Sequence, residues 1–361
     1  MRMENQYKLR LEKIEEVLDF WLPRSADPAW AERIFGIKPG SVDPALLGSL
    51  TAPGRDLIDR GGKRWRPLLM LLVANALAGD CGEAAALPLV PLVEFCHNAS
   101  LIHDDIEDNS DERRGKPAVH LVYGADAAIN SGAFLYFLPL ACIKGSGLSF
   151  ESQKNIRESW GLFMRKLHLG QAMDISWHRD FYSLPEIPEY VQMCRLKTGC
   201  LAGMAAVLAF HCVEDSLKTA GKAKAAADLQ DKLREGAEKL GVGFQILDDV
   251  KNLSTGVPGK KRGDDIVEGK KSLPVLLYLH KNPEKMEFAA GCFRAARSAG
   301  IAAPELEELI GAMQETGALE EARVMGADMI RESRGLFERT AVFNAEAGAL
   351  LGGLIDFISD V

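Results

Sequence analysis

Two apolar helical runs in this 361-residue chain each end in a block of carboxylates, and that pairing constrains the fold more than any other feature. The first is Leu101-Ile102-His103-Asp104-Asp105-Ile106-Glu107-Asp108-Asn109-Ser110, followed at once by Asp111-Glu112-Arg113-Arg114-Gly115. If the helix continues to Asp108, Asp104 and Asp108 share one face, while Asp105 is turned roughly 100° away. Like charges so placed repel, and beside an apolar core they also lose hydration. A fold keeps such a block when a cation occupies the space between the carboxylates. Mg²⁺ fits, since it takes oxygen ligands and can hold phosphate oxygens as well. The second block, Phe244-Gln245-Ile246-Leu247-Asp248-Asp249-Val250-Lys251-Asn252, repeats the pattern. A lone DDxxD is usually a solvated helix end with arginine partners. Two of them on apolar helices, facing one another, would make a metal-filled mouth for a diphosphate.

Bulk properties narrow the classes. At 47% hydrophobic content the chain can bury a large core, as one big domain or two ordinary ones. A net charge of -8 without a long basic run argues against nucleic acid as a partner. The seven cysteines, Cys81, Cys96, Cys142, Cys194, Cys200, Cys212 and Cys292, show no CxxC spacing. They read as reduced core thiols of a cytoplasmic protein. The charged N-terminus is unlike a signal peptide, and no apolar run is expected to reach the ~18 residues of a transmembrane segment.

Helical periodicity runs almost throughout. Leu11, Ile14, Leu18 and Leu22 mark a first amphipathic helix that stops at Pro23. The stretch from Pro28 to Pro44 reads as a surface loop, and a helix from about Pro44 to Asp59 ends at Gly61-Gly62. Pro67 opens a helix from Leu68 to Leu77, and Gly79 to Gly82 reads as a turn. Pro88 and Pro91 start or kink the long helix that carries Glu94, His97 and the first acidic block. Further helices are expected over Asn130–Ile143, over Ile156–Trp177 with Gln171 and Asp174 on one face, up to Lys197-Thr198-Gly199, over Ala202–Phe210, and from Leu217 into the second block. Strand signals are nearly absent. The expectation is an all-α protein with one domain over 1–361: an N-terminal helix and loop (1–45), a core (46–280) and C-terminal helices (281–361).

Three basic motifs accompany the acids. Gly61-Gly62-Lys63-Arg64-Trp65-Arg66-Pro67 places three cations on a glycine turn that feeds a helix N-terminus, a setting suited to phosphate. Lys197-Thr198-Gly199 and the run from Gly259 through Lys260, Asp264 and Asp265 to Gly269-Lys270 are weak singly and informative jointly. In order and spacing, from Gly61 to Pro274, these motifs resemble the trans-type isoprenyl diphosphate synthases. The stretch from Glu94 to Gly124, with His97-Asn98-Ala99-Ser100, is most like the geranylgeranyl diphosphate synthases.

The resemblance implies a large helical bundle around a deep cavity, normally a homodimer. It implies that Asp104 and Asp108 bind two Mg²⁺ and Asp248 a third, all shared with the allylic diphosphate (dimethylallyl, geranyl or farnesyl). Arg113, Lys197, Lys260 and Lys270 would hold that diphosphate, with Gln171, Asp174, Thr198 and Gln245 lining its site. Lys63, Arg66, His97 and Arg114 would hold isopentenyl diphosphate. Asp105 belongs to the same catalytic block. Asn252 stands where many relatives carry aspartate, without cost to the direct metal contact assigned to Asp248. The chemistry agrees with the residue types: loss of diphosphate from an allylic carbon separates charge, so cations around the leaving group lower the barrier.

Two other classes share part of this pattern. A non-catalytic subunit of a heteromeric synthase is expected to lose acids from one block, and both are present here. A class I terpene cyclase needs no second diphosphate site such as Gly61–Pro67. For product length, the tail is expected to run beside the helix of Asp104, past Ala99 and Ser100 and then Cys96. All three are small, where enzymes stopping at fifteen carbons usually place an aromatic, and Phe134-Leu135-Tyr136-Phe137 is a candidate floor. The expected product is geranylgeranyl diphosphate (C20), with C25–C30 or farnesyl (C15) diphosphate as alternatives.

Overall fold

The computed structural model of the protein describes residues 2–219, 223–256, 261–340 and 345–359. Its packing divides into two compact units: Met1–Gly161, Met204–Asp231 and Thr340–Gly353 form the first, and Leu162–Gly203, Lys232–Arg339 and Leu354–Val361 the second.

The chain opens with α1 (Arg2–Trp21) and α2 (Pro28–Phe35). The expected loop after Pro28 is thus corrected to a helix. Asp27 caps it, accepting from Trp30 N at 2.7 Å, Pro28 sits at its first turn, and Gly36 ends it at φ 67°. Helix α3 (Pro44–Asp59) keeps its expected bounds, and Asp43 caps it through Ala45 N at 2.9 Å. Helix α4 (Trp65–Ala86) starts two residues before Pro67. The expected turn at Gly79 is a kink within it, where Ala78 and Gly79 leave helical geometry.

Pro91 begins α5 (Pro91–Glu107), which carries the first acidic block. A hairpin of β1 (Glu112–Arg113) and β2 (Lys116–Pro117) follows. Arg114 and Gly115, both at positive φ, form its two-residue loop, the geometry that suits strand twist. Next come α6 (Val119–Tyr123), α7 (Ala125–Phe137) and α8 (Leu140–Lys144). The single helix expected over Asn130–Ile143 is therefore split, because Pro139 cannot donate to the turn before it.

Helix α9 (Phe150–Arg179) is followed by α10 (Ile187–Cys194), a π-helical turn at Arg195–Gly199, and α11 (Cys200–Thr219). Gly199 was expected to end a helix; instead the backbone widens there and continues. The widening has a packing reason. A Cβ on Gly170 of α9 would lie 2.4 Å from Lys197 N. Helix α12 (Ala223–Ser254) carries the second acidic block, and a Cβ on its Gly241 would lie 2.6 Å from Gly199 Cα. The remaining helices are α13 (Asp264–Glu268), α14 (Leu273–Lys281), α15 (Met286–Ala299), α16 (Pro304–Glu315), α17 (Ala318–Thr340) and α18 (Ala345–Ser359). In the second unit, Tyr190, Ile246, Leu276, Phe293 and Leu309 belong to one buried core.

Among the described residues the architecture is all-α apart from the hairpin. One further expectation is corrected: Trp65–Leu89, Ala125–Lys144 and Ile187–Thr219 are each long and apolar enough to cross a membrane. Alanine, glycine and isolated polar residues had masked their length in the sequence. In Ile187–Thr219 the apolar window is 94% buried within the protein itself. Six cysteines are buried and Cys81 is exposed, all as free thiols.

The crossing of α12 with the π turn yields a stability prediction. Gly241→Ala must displace backbone, not a flexible side-chain end, so it should cost roughly 1–3 kcal/mol, read as a lowered urea midpoint at unchanged slope.

Candidate active site

The last turn of α5 gathers Asp104, Asp105 and Glu107, Asp108 is its C-cap, and no basic residue lies in that turn. Helix C-termini already carry partial negative charge, so four acids there raise a field that only cations can relieve. Arg113 supplies one. Its Nε donates to Asp105 Oδ1 at 2.7 Å, its Nη2 lies 2.5 Å from the same oxygen and 3.3 Å from Asp104 Oδ2. Asp105 is fully buried and clamps Arg113, while Asp104 and Asp108 are half-buried one turn apart. Among the described residues, no three His, Cys, Asp or Glu side chains converge into a cage. Two carboxylates on one helical face fit Mg²⁺, which keeps waters and takes phosphate oxygens for the rest of its shell.

Beside them in the first unit lies the basic turn. Three non-glycine residues have positive φ among the described residues: Arg64 (47°), Asn109 (54°) and Arg114 (55°). All three flank this site, each at a cost of order 1 kcal/mol. Arg64 is not a ligand-facing cation. It turns inward, donating to Glu15 Oε1 (2.7 Å), Glu94 Oε1 (2.9 Å) and Ile58 O (2.6 Å). Glu94 is buried and also accepts from Asn98 Nδ2 at 2.9 Å, and Asn98 Oδ1 in turn accepts from Arg114 Nη1 at 3.2 Å. Arg114 donates to Leu57 O as well, and its guanidinium fills the space beside Gly62. Burial pulls Arg114 down to about 10, although Glu94 opposes that. Lys63 is exposed. Arg66 stacks on Trp65 at 4.3 Å and donates to His97 Nε2 at 3.3 Å. That bond places the imidazole proton on Nδ1. Burial first, then Arg66 and Arg114, hold His97 well below its ordinary value, so it is neutral.

The second unit holds the other cluster. The π turn presents Lys197, 2.6 Å from Asp174 Oδ2, and Thr198, whose Oγ1 donates to Gln245 Oε1 at 2.8 Å. Gln245 Nε2 donates to Asp249 Oδ1 (2.8 Å), and Tyr190 Oη donates to Asp249 Oδ2 (2.6 Å). Asp249 is thus buried within the fold, its acidity weakened by burial and by Asp265, whereas Asp248 is half-buried. Asn252 accepts from Asp265 N at 3.3 Å and ties α12 to α13. Gln171 is half-buried on α9, and Lys270 lies 2.6 Å from Glu268. Lys260 lies outside the described residues.

The expected tail-facing residues also have places. Ala99 and Cys96 are fully buried, and Ser100 donates to His97 O at 2.8 Å. The candidate floor divides: Phe134 stacks on Phe35, Leu135 packs at Gly54, Tyr136 lies 5.6 Å from His103, and Phe137 lies 6.4 Å from Trp160.

The family model described as Polyprenyl synthetase matches residues 48–306. The chain belongs to the polyprenyl synthetase family. It is similar to a protein of Aeropyrum pernix named geranylfarnesyl diphosphate synthase, 32% identical over 86% of this chain and 93% of that one. It is similar to one of Geoglobus acetivorans named geranylgeranyl pyrophosphate synthase, 33% identical over 78% and 81%. Its fold matches the crystal structure of geranylgeranyl pyrophosphate synthetase from Pyrococcus horikoshii, with a TM-score of 0.81, 24% identity and coverage of 100% and 98%. This polyprenyl synthetase is therefore a trans-prenyltransferase, an isoprenyl diphosphate synthase acting on prenyl diphosphates. Its all-α fold is the one those enzymes share.

Sequence reasoning missed the residues that hold this synthase's first-unit cations in place: Arg64, Glu94, Asn98, and Arg60, whose Nη1 donates to Arg113 O (3.0 Å) and Pro117 O (2.8 Å). The signal available was Arg114-Gly115, a two-residue hairpin loop.

His97 sets a pH dependence. Its folded-state pKa is depressed, so the folded protein resists the proton that the unfolded chain accepts near pH 6.5. That contribution is present above pH 6.5 and is lost on acidification, by up to ~1.4 kcal/mol per pH unit. Between pH 7.5 and 5.5, His97→Gln should therefore lose about 1 kcal/mol less stability than wild type in urea titrations.

Proposed function

We propose that this chain condenses isopentenyl diphosphate head-to-tail with an allylic diphosphate, depends on Mg²⁺, and releases geranylgeranyl diphosphate (C20) as its main product. The single observation behind the length is the run of small residues on α5 before the aspartates: Ser100 and Ala99 one turn back, Cys96 two turns back. An aromatic ring at the first level would stop growth at C15. The Aeropyrum pernix relative's name favours a second reading, a C25 product.

In this reading Asp104 and Asp108 hold two Mg²⁺ and Asp248 a third. When bound, the ions would act as Lewis acids on the departing diphosphate. Arg113, Lys197 and Lys270 neutralise charge developing on the same leaving group, and Lys260 is assigned there from the sequence. Gln171, Asp174, Thr198 and Gln245 line that diphosphate's site, with Asp174 orienting Lys197. Lys63, Arg66, His97 and Arg114 bind isopentenyl diphosphate, so that its alkene waits in position when the allylic cation forms. Neutral His97 adds no positive charge to that site; it accepts from Arg66 and fixes its direction.

A homodimer is part of the proposal. Leu121, Val122, Tyr123, Ile129 and Phe137 are exposed along α6 and α7, an apolar surface of the kind that partners cover. So are one catalytic domain across 1–361 and a cytoplasmic location, the latter in keeping with the free thiols.

Purified protein given Mg²⁺, geranyl diphosphate and labelled isopentenyl diphosphate should yield C20 by mass. A C15 or C25 main product would defeat the length assignment, and no product at all would defeat the activity. Asp104→Ala should lower kcat at least roughly 10³-fold, since its partner ion acts in the transition state; turnover within tenfold of wild type would remove Asp104 from the metal site. Lys63→Ala should raise KM for isopentenyl diphosphate roughly 10–100-fold with little change for the allylic substrate, and Lys197→Ala the reverse. Equal weakening of both substrates by both variants would refute that division. Ala99→Phe should shorten the product to farnesyl diphosphate, as one ring fills about one isoprene unit.

A further inference from the structure

The small-residue wall of α5 is finished by a side chain from another helix of the same unit. Trp160 of α9 donates its indole Nε1–H to Cys96 Sγ at 3.3 Å, and its ring lies against Phe137, centroids 6.4 Å apart at 57°. Cys96 is fully buried, and burial pushes its thiol up to about 12, so it meets the indole as a neutral, weak acceptor. Cys96 stands eight residues before Asp104, about 12 Å along the axis, with Ser100 between them. The other members of the Phe134–Phe137 run are engaged elsewhere: Phe134 with Phe35, Leu135 with Gly54, Tyr136 with His103. Phe137 backs the indole.

The geometry points to Trp160 as the residue that stops elongation, its ring pinned across the α5 wall at the level of Cys96. This rests on the reading of that wall as the tail's path. The physical grounds are three. An indole is large and has only two side-chain torsions, so it holds a position at small entropic cost. Its N–H needs a partner when desolvated, and a lone sulfur at a fixed helical position supplies one and sets the ring's orientation. Finally, one helical turn rises ~5.4 Å, about the length of one extended isoprene unit. A floor at Cys96 instead of Ser100 therefore admits one unit more than a floor one turn before the aspartates.

Product distributions by mass test this in the full chain, with Mg²⁺, geranyl diphosphate and labelled isopentenyl diphosphate. Trp160→Ala should lengthen the main product by at least one isoprene unit relative to wild type, with isopentenyl incorporation within about tenfold. Trp160→Phe keeps a ring but loses the N–H donor, and should give a mixture of the wild-type length and the next one. Cys96→Phe should shorten the product by one unit. If thermal melts show that Trp160→Ala does not fold, Trp160→Leu carries the same expectation. Folded Trp160 variants with the wild-type distribution overturn the assignment. Because each shift is read against wild type, a wild-type product of C15 or C25 refutes the C20 reading without masking the result. A C20 wild type with unmoved variants refutes Trp160 alone.

Discussion

Everything in the first unit answers to the crowding of negative charge at the C-terminus of α5. Asp104, Asp105, Glu107 and Asp108 sit on the negative end of a helix dipole, and Asp105 is fully buried. One carboxylate, that of Asp105, is neutralised internally by Arg113. The hairpin that carries Arg113 exists to bring it back over the helix end, and Arg60 holds the hairpin by two backbone carbonyls. Asp104 and Asp108 are half-buried one turn apart on the same face, a pair of the kind that hard cations and phosphate bind.

The cations are positioned by an equally buried counterpart. Arg64 and Glu94 are both almost wholly desolvated, an arrangement that costs more than it returns unless every donor and acceptor is matched. Here Glu15, Ile58 O, Asn98 and Arg114 complete the matching. The consequence is specificity of position: the basic turn and the hairpin loop are tied to one point on α5, two turns before the aspartates. The strained φ of Arg64 and Arg114 is held by the same network. In the second unit a chain of hydrogen bonds from Tyr190 through Asp249 and Gln245 to Thr198 serves the same end, and the π turn that presents Lys197 depends on glycine contacts.

Much of this was legible in residue order. The spacing of apolar residues marked α1 and its end before Pro23, proline and glycine bounded α3, and the paired acids with three basic motifs pointed to diphosphate chemistry. The misses share a cause. The helix after Pro28 was hidden because proline at a first turn looks like a breaker until its Asp27 cap is seen. The π turn was hidden because Lys-Thr-Gly also ends helices, and only the approach of α9 decides otherwise. Arg64 read as a third phosphate cation, and its burial between two glutamates is a long-range fact.

By itself, then, the sequence determined the helical class, the aspartates that share a face, and the cations available to a diphosphate. Those depend on local periodicity and on residue chemistry, which travel with the chain. Tertiary structure decided that Asp105 is the carboxylate that clamps Arg113, which arginine is structural, and that Trp160 meets Cys96. Such choices turn on contacts between residues dozens of positions apart, whose energies arise only when packing removes water from both partners.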